Sequence, residues 1–457
     1  MKWKRILLAA CAVLAMIPAS GCSVITSPIE LLRTPALSAH QEEVRQAVSF
    51  LLPEGAKLTF PLNAGNTGAI RKADMDGDGE TEAVAFYKIP KNQFELGVLI
   101  LKQGSSGWQE LYRITEPGNE IAYADFQDVT GDGAPDLVVG WQGSQDWNKE
   151  MAVYHWTGGK IQRSGGMFYN EAAVGNLDGD PQAELVLINF DREGLSSEAS
   201  LYEYKKTGLL QTDRLKLDGG INGYDQVLLG KARAGRNGVF LDIGVGAHSA
   251  YTTLLTVENG RLQDVFNVMG DPSGKTYKAN PVYSQDINGD GIIEIGMLKE
   301  APGHEATPYS DMPWIHEWHQ WDGAQGLQKV YENYMDYQYG FRFDPPLSWQ
   351  GQYTLDEVRD EQGGSKVTFL YMGRTPEERA ELVTLYAVPE ERWLKQKVTW
   401  DEEGRTVVEL GPGQDGVEIA ALLPEGEPKL SGEELEQYHA VLLTNNEIVQ
   451  RYRLLRD

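Results

Sequence analysis

Along the middle of the chain the hydrophobic positions come in short runs bounded by polar turns. AVAFY follows Glu82, LVVG follows Asp136, LVLI follows Glu184 and IGML follows Glu294. Runs of this length, built from β-branched, aromatic and small side chains, read as buried strands. Each leaves an acidic loop and leads on to a strand, a Gly-containing turn and another strand: VLILKQGSSGWQELYRI, MAVYHWTGGKIQRSGG, SLYEYKKTGLLQTDRLKL and IHEWHQWDGAQGLQKVYENY. With the strand that enters the loop, this makes four strands per period. The loops start at Asp74, Asp128, Asn176 and Asp286, at intervals of 54, 48 and 110 residues, the last being about two periods. The period that falls between them lies near residue 230, where YDQVLLGKARAGRNGVFLDIGVG and then TLLTVENGRLQDVFNV repeat the pattern without the acids. Four-stranded units at this spacing predict a mainly β chain organised as a β-propeller, whose blades bury their faces against one another because one blade cannot do so alone. Five four-stranded blades fit within residues 40–337, and an amphipathic helix over 41–52 is expected to pack on the first.

From residue 338 to 457 the texture changes to a small α+β sandwich domain. Strands such as SKVTFLYM, ELVTLYAV, TVVEL and VEIAALL alternate with charged turns, and two helices close the chain. SGEELEQYHAVLL opens with a capping box from Ser431 to Glu434, and TNNEIVQRYRLL with one from Thr444 to Glu447, the latter placing Ile448, Tyr452 and Leu455 on one face.

The acidic loops carry the chemistry. In the first, oxygens fall at Asp74, Asp76, Asp78 and Glu82, positions 1, 3, 5 and 9, with Gly79 at position 6. Such a cluster repels itself unless a hard cation neutralises it, and Ca²⁺ takes six to eight oxygens of this kind. An EF-hand is excluded, because position 12 is apolar in every copy (Ala85, Val139, Leu187, Met297) where that motif needs a bidentate Glu. Position 9 is acidic in every copy: Glu82, Asp136, Glu184 and Glu294.

Acidic loops of the form DxDGDGxxE opening a strand resemble the FG-GAP and VCBS repeats of integrin-α-like propellers. In that family the loop binds Ca²⁺ in the turn between two strands of a blade, with position 7 ligating through its carbonyl. The resemblance implies ligands at Asp74, Asp76, Asp78, Glu80 and Glu82; at Asp128, Thr130, Asp132, Ala134 and Asp136; at Asn176, Asp178, Asp180, Gln182 and Glu184; and at Asp286, Asn288, Asp290, Ile292 and Glu294. About four structural Ca²⁺ ions follow. Pro181 replaces the position-6 glycine of the third loop and cannot adopt positive φ. The stretch FRFDPPLSW, of the form FxFxxPxxW, with the later strands and terminal helices, resembles the PsbP-like domains of bacterial lipoproteins.

The N-terminus indicates where such ions are plentiful. Lys2, Lys4 and Arg5 precede ILLAACAVLAMI and then PASGC, a secretory signal over residues 1–21. Ala19, Ser20, Gly21 and Cys22 resemble the bacterial lipoprotein box, which implies a diacylated Cys22, a tether over 22–39 and a protein held on the extracytoplasmic face of the cell membrane. Two acyl chains suffice for stable anchoring. Removing the three basic signal residues takes the net charge from −26 to −29, which repels nucleic acid and anionic headgroups.

No catalytic motif is present. GPGQDG at 411–416 joins two strand-like runs and does not open a helix, and HEWH at 316–319 would point its histidines to opposite faces of a strand. His155, His248 and His304 read as ordinary packing or surface residues. Trp141, Trp147, Tyr251, Tyr309, Trp314, Trp318 and Trp321 flank blade loops, either as recognition surface or as filler between blades. The expected function is a binding or adhesion-type scaffold for an extracellular protein or glycan. The runner-up is an envelope lyase or hydrolase acting on polysaccharide in the propeller channel.

Overall fold

Each short apolar run forms a strand, and each acidic loop joins two antiparallel neighbours. The computed structural model describes residues 38–63, 68–90, 95–143, 149–206, 208–266, 274–324, 326–360, 363–375 and 378–455. The expected signal segment, Cys22, nearly all of the tether and Trp147 lie outside the described residues. Helix α1 (Ala39–Leu51) precedes a first sheet of β1 (Lys57–Leu58), β2 (Ile70–Ala73), β3 (Glu82–Ile89), β4 (Glu95–Gly104) and β5 (Gly107–Pro117), in which β1 and β2 both pair with β3. Three four-stranded antiparallel sheets follow in sequence order. The second holds β6 (Glu120–Gln127), β7 (Asp136–Gln142), β8 (Lys149–Thr157) and β9 (Lys160–Tyr169). The third holds β10 (Glu171–Gly175), β11 (Glu184–Asp191), β12 (Ser196–Lys205) and β13 (Gly208–Leu217). The fourth holds β14 (Gly223–Arg233), β15 (Arg236–Val245), β16 (Ser249–Glu258) and β17 (Arg261–Asp264). A fifth contains β18 (Ile295–Glu300), β19 (Trp314–Trp321), β20 (Leu327–Asp336) and β21 (Phe341–Phe343).

The sixth sheet runs β22 (Tyr353–Arg359), β23 (Ser365–Tyr371), β24 (Ala380–Pro389), then β26 (Val417–Leu422) and β25 (Val407–Pro412) at its edge. Helix α2 (Glu390–Glu402) lies against it, and α3 (Glu433–Val441) and α4 (Asn445–Arg451) follow. The chain then returns as β27 (Tyr452–Leu454), which pairs with β21 and extends the fifth sheet.

Neighbouring sheets share cores in series. Phe86, Val98 and Ile100 of the first sheet meet Leu137, Val139 and Tyr154 of the second. Val138 and Val153 meet Leu185 and Leu187 of the third; Val186 and Leu201 meet Leu241 and Leu255 of the fourth; Phe240 and Leu254 meet Ile295 and Trp321 of the fifth. The outer face of the first sheet is covered by α1, whose Val44 and Val48 pack on Ala83, Ala85, Tyr87 and Leu99. At the other end, Ile315 and Tyr334 of the fifth sheet join the core of the C-terminal region around Phe343, Trp349 and Phe369. Among the described residues no hydrophobic cluster joins the first sheet to the fifth.

Two local expectations are corrected, and one element is added. The capping box at Ser431 does not form, because Gly432 takes the N-cap of α3 with φ 61° and no side chain caps the helix. The box at Thr444 does form, but α4 stops at Arg451: Tyr452 leaves the helix and enters β27. Helix α2 was not anticipated; it buries Trp400 against Tyr386, ring centroids 5.1 Å apart.

Candidate metal centre

The acidic loops are built alike. The residue before position 1 pairs with position 9 in all four: Ala73 with Glu82, Gln127 with Asp136, Gly175 with Glu184, Gln285 with Glu294. Each loop is therefore an eight-residue connection across an antiparallel pair. The glycine at position 4 has positive φ throughout (Gly77 71°, Gly131 74°, Gly179 95°, Gly289 81°), a conformation that favours residues without a Cβ. The position-9 carboxylate is buried and turns back into the loop, accepting the position-2 amide at 2.8 Å from Met75, 2.9 Å from Val129, 2.7 Å from Leu177 and 2.9 Å from Ile287. In three loops the position-6 amide donates to the position-1 carboxylate at 2.9 Å: Gly79 to Asp74, Gly133 to Asp128, Gly291 to Asp286. Pro181 has no amide hydrogen to give, and there the Asn176 side chain donates instead to the Asp180 carbonyl.

Carboxylate oxygens converge in three of the four loops. Asp74, Asp76 and Asp78 form one group, Asp178, Asp180 and Glu184 a second, and Asp286, Asp290 and Glu294 a third, each with ligand-type atoms within 4.8 Å of one another. These clusters could hold a metal ion. Burial pushes the carboxyl groups of Asp136 and Glu184 up to about 7, against the pull of the Thr130 and Leu177 amides respectively, and raises Glu82 and Glu294 as well. A divalent ion would relieve that cost by compensating the buried charge. In the first loop Asp74 Oδ1 and Glu82 Oε1 are buried without a hydrogen-bond partner. The second loop differs: Thr130 takes position 3, its hydroxyl 3.4 Å from Asp136 Oδ1, while Asp136 Oδ2 accepts both the Val129 and Thr130 amides.

Sequence reasoning did not find the residues that face position 9 from the next strand. The registers place Lys102, His155, Glu203 and Gln320 there, one in each sheet. In the first three sheets they follow position 9 by 19 or 20 residues, a spacing that becomes meaningful only once the hairpin register is known. In the fourth loop Gln320 Nε2 donates to Asp290 Oδ2 at 2.8 Å and to Glu294 Oε1 at 2.7 Å.

The remaining candidates are dispersed. Trp141, Trp318, Trp321 and Tyr251 are buried filler, whereas Tyr309 is exposed beside Trp314, centroids 5.3 Å apart. His155 packs on Tyr204, His316 on Tyr337, and His304 contacts Asp356 at 3.0 Å. GPGQDG is the β25–β26 turn. The period near residue 230 closes in a tight turn at Gly235 (φ 74°), without carboxylates. A cavity of about 590 Å³ lies where β6, β10 and β14 converge, with Asp125, Glu171, Lys149 and Tyr169 on its walls.

No protein-family model matches the chain, and no curated relative does. Among solved structures it is similar to the exotype rhamnogalacturonan lyase YesX at 12% identity, over 67% of this chain and 75% of that one, with a TM-score of 0.28. That likeness is too distant to bear on fold or activity. No described helix is long and apolar enough to cross a membrane.

Proposed function

We propose that this chain is a Ca²⁺-stabilised binding scaffold of the β-propeller type, related to FG-GAP and VCBS repeat proteins and carried on the extracytoplasmic face of a bacterial membrane by a lipid on Cys22. The observation that carries the reading is the fourfold recurrence of one hairpin loop, same in length and register, each with a buried position-9 carboxylate. Independent acidic turns would not agree on which carboxylate to bury. The five serially packed sheets are the blades, and the cavity between β6, β10 and β14 lies toward their axis. Extracellular Ca²⁺ modules bind at about 0.1–1 mM, so at millimolar Ca²⁺ each occupied loop adds on the order of 1 kcal/mol. Calcium is a staple in this reading, and recognition belongs to a surface.

The best candidate surface is aromatic. Tyr277, Tyr283, Tyr309 and Tyr337 are exposed on the segments around the fifth sheet, with Trp314 beside Tyr309. Tyrosine and tryptophan supply large contact area at low entropic cost, and they suit either a protein or a glycan partner. The test is a screen of envelope proteins and glycans on the full chain, with Ca²⁺ and with chelator, beside Tyr309→Ala and a thermal melt. Chelator should lower the melting temperature and weaken binding, and Tyr309→Ala should weaken binding alone. Melting and binding both indifferent to chelator would defeat the calcium reading.

A further inference from the structure

Lys102 lies on β4 directly across from Glu82, and its ammonium is drawn into the first acidic loop. Nζ is 2.6 Å from Asp78 Oδ2 and 3.3 Å from Glu82 Oε1, and it also bonds Asp76 Oδ2. Three loop carboxylates, at positions 3, 5 and 9, thus converge on one positive charge. Those are the oxygens a divalent ion would need. We propose that Lys102 is the resident cation of the first loop, so that this loop carries a counter-charge of its own and takes Ca²⁺ only when the lysine is removed. The inference rests on the calcium reading above and corrects its count.

Comparison with the other sheets supports the assignment. The equivalent strand position is His155 in the second sheet, Glu203 in the third and Gln320 in the fourth of the acidic-loop sheets. Only Lys102 brings a fixed positive charge. Glu203 adds an acid beside the third loop, and nearby Lys205 bonds Glu203. Gln320 is a neutral amide that can turn its carbonyl toward an ion. An ammonium cannot do so: it has three donors and no lone pair. Lys102 and a divalent ion would also repel each other across the same oxygens, so the two occupants exclude one another. Glu82 is fully buried, and its Oε1 has no hydrogen-bond partner, only the Lys102 ion pair. A buried carboxylate of this kind requires a counter-charge, and the chain supplies it.

The test is calorimetric titration of the full chain with CaCl₂, comparing wild type, Lys102→Met and Asp78→Asn. Lys102→Met keeps most of the stem and removes the charge. It should bind one more ion per chain than wild type, and its melting temperature should fall in chelator and recover on adding Ca²⁺. A lysine needed only for packing would give a fall that calcium does not rescue. Asp78→Asn should leave the wild-type stoichiometry unchanged. Equal, non-zero stoichiometry in wild type and Lys102→Met, or loss of one ion in Asp78→Asn, overturns the role of Lys102 while leaving the calcium reading intact. If none of the three proteins binds an ion, the calcium reading itself fails and this inference fails with it.

Discussion

The fourth sheet lacks an acidic loop and instead buries an ion pair. Lys278 is fully enclosed, donating to Thr252 Oγ1 at 2.8 Å and to the Val282 carbonyl at 2.6 Å, with Asp242 Oδ1 at 3.7 Å. Asp242 accepts the Ser284 amide at 2.7 Å and its hydroxyl at 3.0 Å, and the Thr252 hydroxyl as well, so the network ties β15 and β16 to the segment that leads into the fifth sheet. Removing one charge from a buried pair strands the other, so Lys278→Ala should cost about 3–5 kcal/mol in denaturant unfolding. The double change Lys278→Met with Asp242→Asn should cost much less than that, because no charge is left unpaired. Burial pulls the Lys278 ammonium down to about 8, partly offset by Asp242, against an ordinary 10.5. Between those values the unfolded chain holds more protons than the folded one, so this group makes stability rise with pH. Below pH 8 lysine is charged in both states and its burial cost is complete. The stability of wild type relative to Lys278→Met should therefore increase from pH 8 to pH 10, read from paired urea melts; a flat difference would mean that the ammonium is not desolvated.

At the scale of the element, the hairpin loop sets two demands: positive φ near its tip, and an amide hydrogen at position 6 for the position-1 oxygen. Pro181 fails both, yet the third loop keeps its register and its converging acids, because β10 and β11 hold the ends and Asn176 makes a substitute bond. Pro181→Gly should lower the metal-free melting temperature, since glycine loses more backbone entropy on folding, by about 1 kcal/mol. It should also enlarge the stabilisation gained on adding Ca²⁺, by restoring the amide that holds position 1; an unchanged calcium response would show that the position-6 amide is irrelevant to the site. The loops were legible in the sequence because all their signals are local: glycines for φ, acids at odd positions, an apolar run after position 9. What faces the loop from the next strand was not legible, since Lys102 and Gln320 become neighbours of position 9 only through strand register. Helix α2 leaves no clear period in the sequence because much of its surface is charged or exposed, including Leu394 and Val398, and Trp400 alone is buried. Tyr452 has the spacing of a helical face, but β21 offers an unpaired edge, and backbone pairing there overrides the local period.

At the scale of the whole molecule, the cores run in series from the first sheet to the fifth, and each end is covered by an element from outside the series. Helix α1 seals the first sheet, and the C-terminal region seals the fifth, tied to it by β27. In such an array each unit is stabilised by its neighbours, and the terminal covers keep the last apolar faces from water. Val48 is fully buried under the first sheet, and α1 is fixed at its start by the reciprocal Ser38–Gln41 capping box. Val48→Asp would place a charge against Ala83, Ala85 and Leu99, and should cost about 3 kcal/mol or more. The location of the damage is the sharper expectation. If the series is open between the first sheet and the fifth, hydrogen exchange should quicken first in β3 and β4, less in the second sheet, and least in β19 and β20. A molecule whose first and fifth sheets are joined through a continuous ring would lose protection in the fifth as early as in the second. Equal acceleration in both neighbours would therefore show that the ring is closed, and the two covers would then be attachments to it.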